Sequence, residues 1–96
     1  MAWPFDQSPD TAAITTRAVL ERKKEIRCVV HYADDHSWAF LCGTTDKEED
    51  GRVISMSEAL EIDNSLLEVA DLLPGWAAWR QHRGAAWKKS QNEKEA

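Results

Sequence analysis

Five side chains with ligand or nucleophile chemistry, Cys28, His31, His36, Cys42 and His82, punctuate this chain. Thiolates and imidazoles bind zinc, and a thiol beside an imidazole can serve as a nucleophile. Cys28-x-x-His31 has the spacing of half a metal site, but no second close pair follows to complete a tetrahedron. A Cys–His dyad needs both groups on one face. The stretch Ile26–Cys42, IRCVVHYADDHSWAFLC, reads as two β-strands folded around an Ala33–Ser37 turn. With Tyr32 opposite Trp38, Val30 faces Phe40 and Cys28 faces Cys42. All six then share one face, because side chains alternate along a strand. His31 points away from both thiols, so neither a shared metal nor a dyad forms within the hairpin. The cysteines read as small buried hydrophobes. A redox pair is the alternative, since directly opposed residues can reach disulfide distance. No Ser–His–Asp order, phosphate-cradling glycine loop or metalloprotease helix motif is present. The chain is therefore expected to be non-enzymatic, with no cofactor and no metal.

Two features favour binding instead. The segment Gly43–Gly51, GTTDKEEDG, carries Asp46, Glu48, Glu49 and Asp50 between two glycines and reads as a loop. It lacks the alternating oxygen ligands and placed glycine of a calcium loop. A solvated loop is the simpler reading, and a docking patch for a basic partner the sharper one. The turn carboxylates Asp34 and Asp35 add to the same charge. The second feature is the five tryptophans, many for so short a chain. Aromatics serve both cores and interface hot spots. Trp38 and Trp76 read as core. Trp79 points away from Trp76 if Trp76–His82 is a strand, which makes it the aromatic anchor of the candidate surface.

The elements that must position these groups follow from caps and turns. Residues 1–11 contain two prolines and read as a flexible arm that Trp3 and Phe5 can dock. Ala12–Thr15 reads as an edge strand, and Thr16 as the N-cap of a helix over Arg17–Lys24 with cations in its last turn. After the acidic loop, Arg52–Ser55 reads as a strand. Ser55 and Glu58 have capping-box spacing for a short helix through Ile62. Ser65-Leu66-Leu67-Glu68 forms a second such box, opening a helix whose apolar stripe over Leu66–Leu73 should lie on the sheet. Pro74-Gly75 ends it, and a bulky run after Pro-Gly is a common way into a strand. Ser90–Ala96 should fray.

Composition sets the bounds. Ninety-six residues make one domain, expected over 12–89 with a tail at 90–96. An apolar fraction of 43% with 30% charged residues fits a soluble globule. A net charge of -5 argues against general nucleic-acid binding, which needs a cationic surface. No apolar run approaches the ~20 residues that span a bilayer. The N-terminus lacks a signal-peptide layout, and two cysteines without an export signal point to reduced thiols in a cytoplasm. The expected fold is α+β: a mainly antiparallel sheet of four or five strands with two or three short helices packed on one face.

The order Ile14-Thr15-Thr16 with a short helix, Trp38-Ala39-Phe40-Leu41-Cys42-Gly43, an acidic loop, Val53-Ile54-Ser55, Asp63-Asn64-Ser65-Leu66 and Leu73-Pro74-Gly75-Trp76 resembles a bacterial family of small proteins. That family is grouped with predicted immunity proteins of polymorphic toxin systems. The resemblance covers about Ala12 to Trp87, and its motifs are strand aromatics, caps and turns. It implies an α+β domain and, in some members, binding and neutralising a toxin. It supplies no catalytic residues. Where relatives have Pro before the second capping serine, this chain has Asn64. The expectation is a cytoplasmic protein-binding module whose contact surface is Asp34, Asp35, Asp46, Glu48, Glu49, Asp50 and Trp79 and whose partner is basic. The alternative is a regulatory or housekeeping protein that binds a small ligand or metal.

Overall fold

The computed structural model describes residues 3–21, 23–43 and 51–91. The strand β1 (Ala12–Thr16) runs directly into helix α1 (Arg17–Glu21). Thr16 makes that junction as expected, its hydroxyl accepting the Val19 N–H at 3.3 Å. The hairpin is β2 (Cys28–His31) and β3 (Trp38–Leu41). Then come β4 (Gly51–Ser55), α2 (Met56–Ile62), a 3₁₀ helix (Asn64–Val69), β5 (Trp76–Trp79) and β6 (Lys88–Gln91). The six strands form one sheet in the order β4-β1-β3-β2-β5-β6. β1 pairs parallel to β3, and the other pairings are antiparallel. The architecture is the expected α+β, with one more strand than patterning alone announces. That strand, β6, includes Ser90 and Gln91, which composition places in the tail.

β1 is not an edge strand. It lies between β4 and β3. Its parallel partner is distant in sequence, so no local pattern marks the pairing.

The hairpin register differs by one residue from the expectation. Cys28 opposes Leu41, Val29 opposes Phe40, Val30 opposes Ala39 and His31 opposes Trp38. The cause is the turn. The Tyr32 N–H donates to the Ser37 carbonyl at 2.9 Å. Inside it, Asp35 Oδ1 accepts the Ser37 N–H at 2.9 Å, and His36 takes a left-handed φ of 59°. The loop is thus Ala33–His36, one residue shorter than Ala33–Ser37. With a side-chain period of two, that single step puts the opposite face of β2 beside Trp38 and Phe40. Val29 and His31 join them in the interior, while Cys28 and Val30 turn to the other face.

The capping box at Ser55 forms as expected. Ser55 Oγ accepts the Glu58 N–H at 3.1 Å, and a Glu58 carboxylate oxygen accepts the Ser55 N–H at 3.1 Å. The second box does not form. Asp63 takes its place, accepting the Ser65 N–H at 3.0 Å as the N-cap of the 3₁₀ helix. All three helices pack on one face of the sheet. Ala18, Val19, Met56, Ala59, Leu66 and Val69 close over Ala13, Val29, Trp38, Phe40, Ile54 and Ala78. Trp38 and Phe40 are completely buried there. Phe5 from the N-terminal segment joins the core edge-on to Trp38, with ring centroids 5.0 Å apart.

Candidate functional site

The opposite face of the sheet carries no helix among the described residues, and it is apolar. The pairing registers align Val53, Ile14, Ala39, Val30, Ala77 and Ser90 in one row across all six strands. A second row aligns Leu41, Cys28, Trp79 and Lys88. Val53 is 74% exposed, Trp79 45% and Ile14 43%, which are large values for apolar side chains at strand centres and ends. Ala39 and Val30 lie flush and buried between them, outside the main core. Lys88 Nζ sits 5.1 Å from the Trp79 ring centroid, within cation–π range.

Trp79 therefore occupies the position alternation assigns it, facing away from the helices. Two of its expected neighbours, the turn carboxylates, are not beside it. Asp34 and Asp35 are exposed in the hairpin turn, beyond the end of the sheet where His31 opposes Trp38 and Trp76. Trp79 opposes Cys28 at the other end. The structure thus does not bring the turn carboxylates to Trp79, whose ring meets the cation of Lys88. Asp46, Glu48, Glu49 and Asp50 lie outside the described residues. Hydrogen bonds from Ser37 hold the Asp35 carboxyl below its usual range. These bonds shape the turn.

Ile14, Leu41 and Val53 were not among the residues singled out from the sequence. A signal for them exists in Val53-Ile54, an adjacent β-branched pair that makes a strand apolar on both faces.

Two buried polar clusters on the helical side are structural. Arg80 and Asp63 side chains are 1% and 4% exposed and meet at 2.6 Å. Arg80 also donates twice to the Ile26 carbonyl, at 3.1 and 3.0 Å, and to Ser65 Oγ at 2.9 Å. Its guanidinium lies 4.2 Å from the Trp87 ring centroid. Burial pushes the Asp63 carboxyl up, but bonds from Ser65 and Arg80 and the Arg80 charge outweigh it, so the net shift is downward. His31 forms the second cluster. It stacks on Trp38 at 4.0 Å between ring centroids. Its Nδ1–H donates to the Leu72 carbonyl at 2.6 Å, and Nε2 lies 3.0 Å from Asp6 Oδ2. Asp6 Oδ1 in turn accepts the Trp38 indole N–H at 2.9 Å. These bonds pin the N-terminal segment to the core.

The thiols are separated by the register. Cys42 is buried on the helical side, Cys28 is half-buried on the apolar face, and neither is disulfide-bonded. Burial raises the Cys28 pKa, which disfavours its thiolate. Among the described residues, no three His, Cys, Asp or Glu side chains converge as metal ligands. No helix there is long and apolar enough to cross a membrane.

No protein-family model matches the chain. Comparisons with curated proteins and with solved structures found no match.

Proposed function

We propose that this chain is a non-catalytic protein-binding module of the immunity type, which neutralises a toxin by occupying its surface. The observation that carries the reading is the apolar sheet face bearing exposed Val53, Ile14 and Trp79. A packed core explains the helical side and leaves this face over. Exposed apolar side chains on one sheet face, with an aromatic anchor among them, have the composition of an interface. The net charge of -5 would steer a basic toxin toward the molecule, while apolar contact would hold it. The family resemblance supports the same class.

The test combines capture with rescue. The wild-type chain, Trp79→Ser and Val53→Lys serve as baits in the native cell. The expected result is a stoichiometric partner that is toxic when expressed alone, relieved by the wild-type chain and not by either variant. A partner bound equally by all three would remove this face from the interface.

A second reading, binding of a small ligand, has one observation in its favour. A cleft of about 500 Å³ opens between the end of α1 and α2, bounded by Val19, Lys23, Lys24, Ile26, Glu61 and Asp63. Asp63 on its floor is already paired with Arg80, which leaves the cleft with few unspent polar groups at depth. The protein-binding reading is therefore preferred.

A further inference from the structure

We infer that the N-terminal segment Trp3–Gln7 is a strap latched by one proton held between His31 and Asp6, and that losing this proton to solvent releases the strap from the core.

The latch follows from what surrounds the imidazole. The His31 side chain is 2% exposed. Nδ1 lies 2.6 Å from the Leu72 carbonyl oxygen, and Nε2 lies 3.0 Å from Asp6 Oδ2. A backbone carbonyl only accepts, so Nδ1 carries a hydrogen. An ionised carboxylate also only accepts, so Nε2 must carry a second one. Asp6 suits the carboxylate role. Its Oδ1 accepts the Trp38 indole N–H at 2.9 Å, and its side chain is 39% exposed and so reaches water. The ring that satisfies every partner is therefore the imidazolium. Without the Nε2 proton, two sets of lone pairs face each other at the same short distance, and the contact turns from attractive to repulsive.

The other charged groups around the ring are spent elsewhere or set back. His36, in the hairpin turn, has its ring centroid 6.0 Å from that of His31. In the same turn, Asp34 accepts the Asp35 N–H and Asp35 accepts the Ser37 N–H. Asp71, beside Leu72, bonds Lys89 at 3.0 Å. Trp38 on β3 and Trp76 on β5, which oppose His31 in the sheet, are uncharged.

The strap begins where backbone anchoring ends. The Pro9 and Thr11 carbonyls accept the Ser57 and Met56 N–H groups at 3.0 and 2.9 Å, which fixes the chain to the start of α2. Ahead of that point, side chains tie Trp3–Gln7 to the body. Phe5 is buried edge-on to Trp38, Trp3 lies 5.6 Å from Phe5 between ring centroids, and Gln7 Nε2 donates to the His36 carbonyl at 3.0 Å. Asp6 stands between Phe5 and Gln7, so its attachment holds both in place. Linkage then gives the pH dependence. A free imidazole gives up its proton near pH 6.5, whereas the docked ring keeps it for Asp6. Docking is at full strength below that value and weakens as pH rises, by up to about tenfold per pH unit for one proton.

Nitrogen-15 NMR of the full chain reads the His31 ring, and the nuclear Overhauser contact between the Phe5 and Trp38 rings reads the strap. The range is about pH 5 to about pH 9.5, above carboxyl titration and below that of lysine. The expected result is a single shared transition, in which Nε2 loses its proton as the Phe5–Trp38 contact fades. Asp6→Asn should remove or reverse that dependence. Its amide donates to a neutral Nε2 while its oxygen still accepts the Trp38 N–H, so the contact should hold or strengthen as pH rises. His36→Asn removes the other imidazole at a left-handed φ of 59° that Asn tolerates, and should leave the transition in place. A neutral His31 beside an intact Phe5–Trp38 contact overturns the inference. So does a contact that fades while the ring still carries both protons, or a strap docked and protonated throughout, which would make the pair a fixed one. An Asp6→Asn strap that fades like the wild type, or a transition abolished by His36→Asn, overturns it as well. The toxin reading is tested with a second molecule present, so either proposal can fail alone.

Discussion

Removing the Asp63 carboxylate should strongly destabilise this protein. In Asp63→Ala the Arg80 guanidinium keeps its bonds to the Ile26 carbonyl and Ser65. It loses its counter-ion while its side chain is 1% exposed. Breaking a buried pair from one side costs about 3–5 kcal/mol, because the remaining charge stays desolvated. Loss of the cap on the 3₁₀ helix adds about 1 kcal/mol. A chain of 96 residues has a total stability of about 5–14 kcal/mol. The substitution therefore removes between about a third and all of it. Asp63→Asn keeps an acceptor for the Ser65 N–H and loses the charge, so it should cost about 1 kcal/mol less. Arg80→Met with Asp63→Asn removes both charges and should recover part of the loss, since a buried pair replaced together is far less damaging than one broken. Urea unfolding followed by tryptophan fluorescence measures these three and the Arg80→Met single. The reasoning fails if Asp63→Ala costs under about 1.5 kcal/mol, or if the double variant is as unstable as the sum of the singles.

The same carboxylate sets an acid limit. Its folded pKa is lowered, so the pair contributes stability above the unfolded carboxyl value of about 3.9 and loses it as pH falls through the lower folded value. Unfolding free energy should fall below about pH 4, and Asp63→Asn should flatten that part of the profile. Trp38→Ala should cost about 3–5 kcal/mol by urea titration, because the indole is fully buried among Phe5, His31 and Phe40. A cost below about 1 kcal/mol would contradict the packing. Asp6→Ala should cost about 1–3 kcal/mol, since Trp38 Nε1 and His31 Nε2 both lose a partner. It should also speed proteolysis ahead of β1, and unchanged cleavage would show that the segment is held by other contacts. Thiol titration should find Cys28 slow and Cys42 silent until denaturant is added. Fast labelling of both in the folded protein would contradict their burial.

Local chemistry made much of this fold readable from the sequence. The Ser55–Glu58 capping box, the Thr16 cap, the hairpin, the strand after Pro74-Gly75 and the interior places of Trp38 and Phe40 all rest on contacts a few residues apart or on strict alternation. Such signals survive without a tertiary context. Alternation also carried Trp79 to the correct face. It could have placed Arg80 too, since Arg80 follows Trp76 and Ala78 at every second position and so turns inward.

What tertiary structure decided was pairing at a distance. Asp63 caps the 3₁₀ helix and neutralises Arg80, and no local pattern couples positions so far apart. The parallel alignment of β1 with β3 made an internal strand of a segment that resembles an edge. A turn one residue shorter than the letters suggest reversed the faces of β2, drawing His31 inward and turning Cys28 out. The apolar face follows from these choices. Ile14, Val53, Leu41 and Trp79 come from four strands, and only the register of the whole sheet sets them on one face. A period of two records that a strand has two faces, but which face meets water is settled when the strands are aligned.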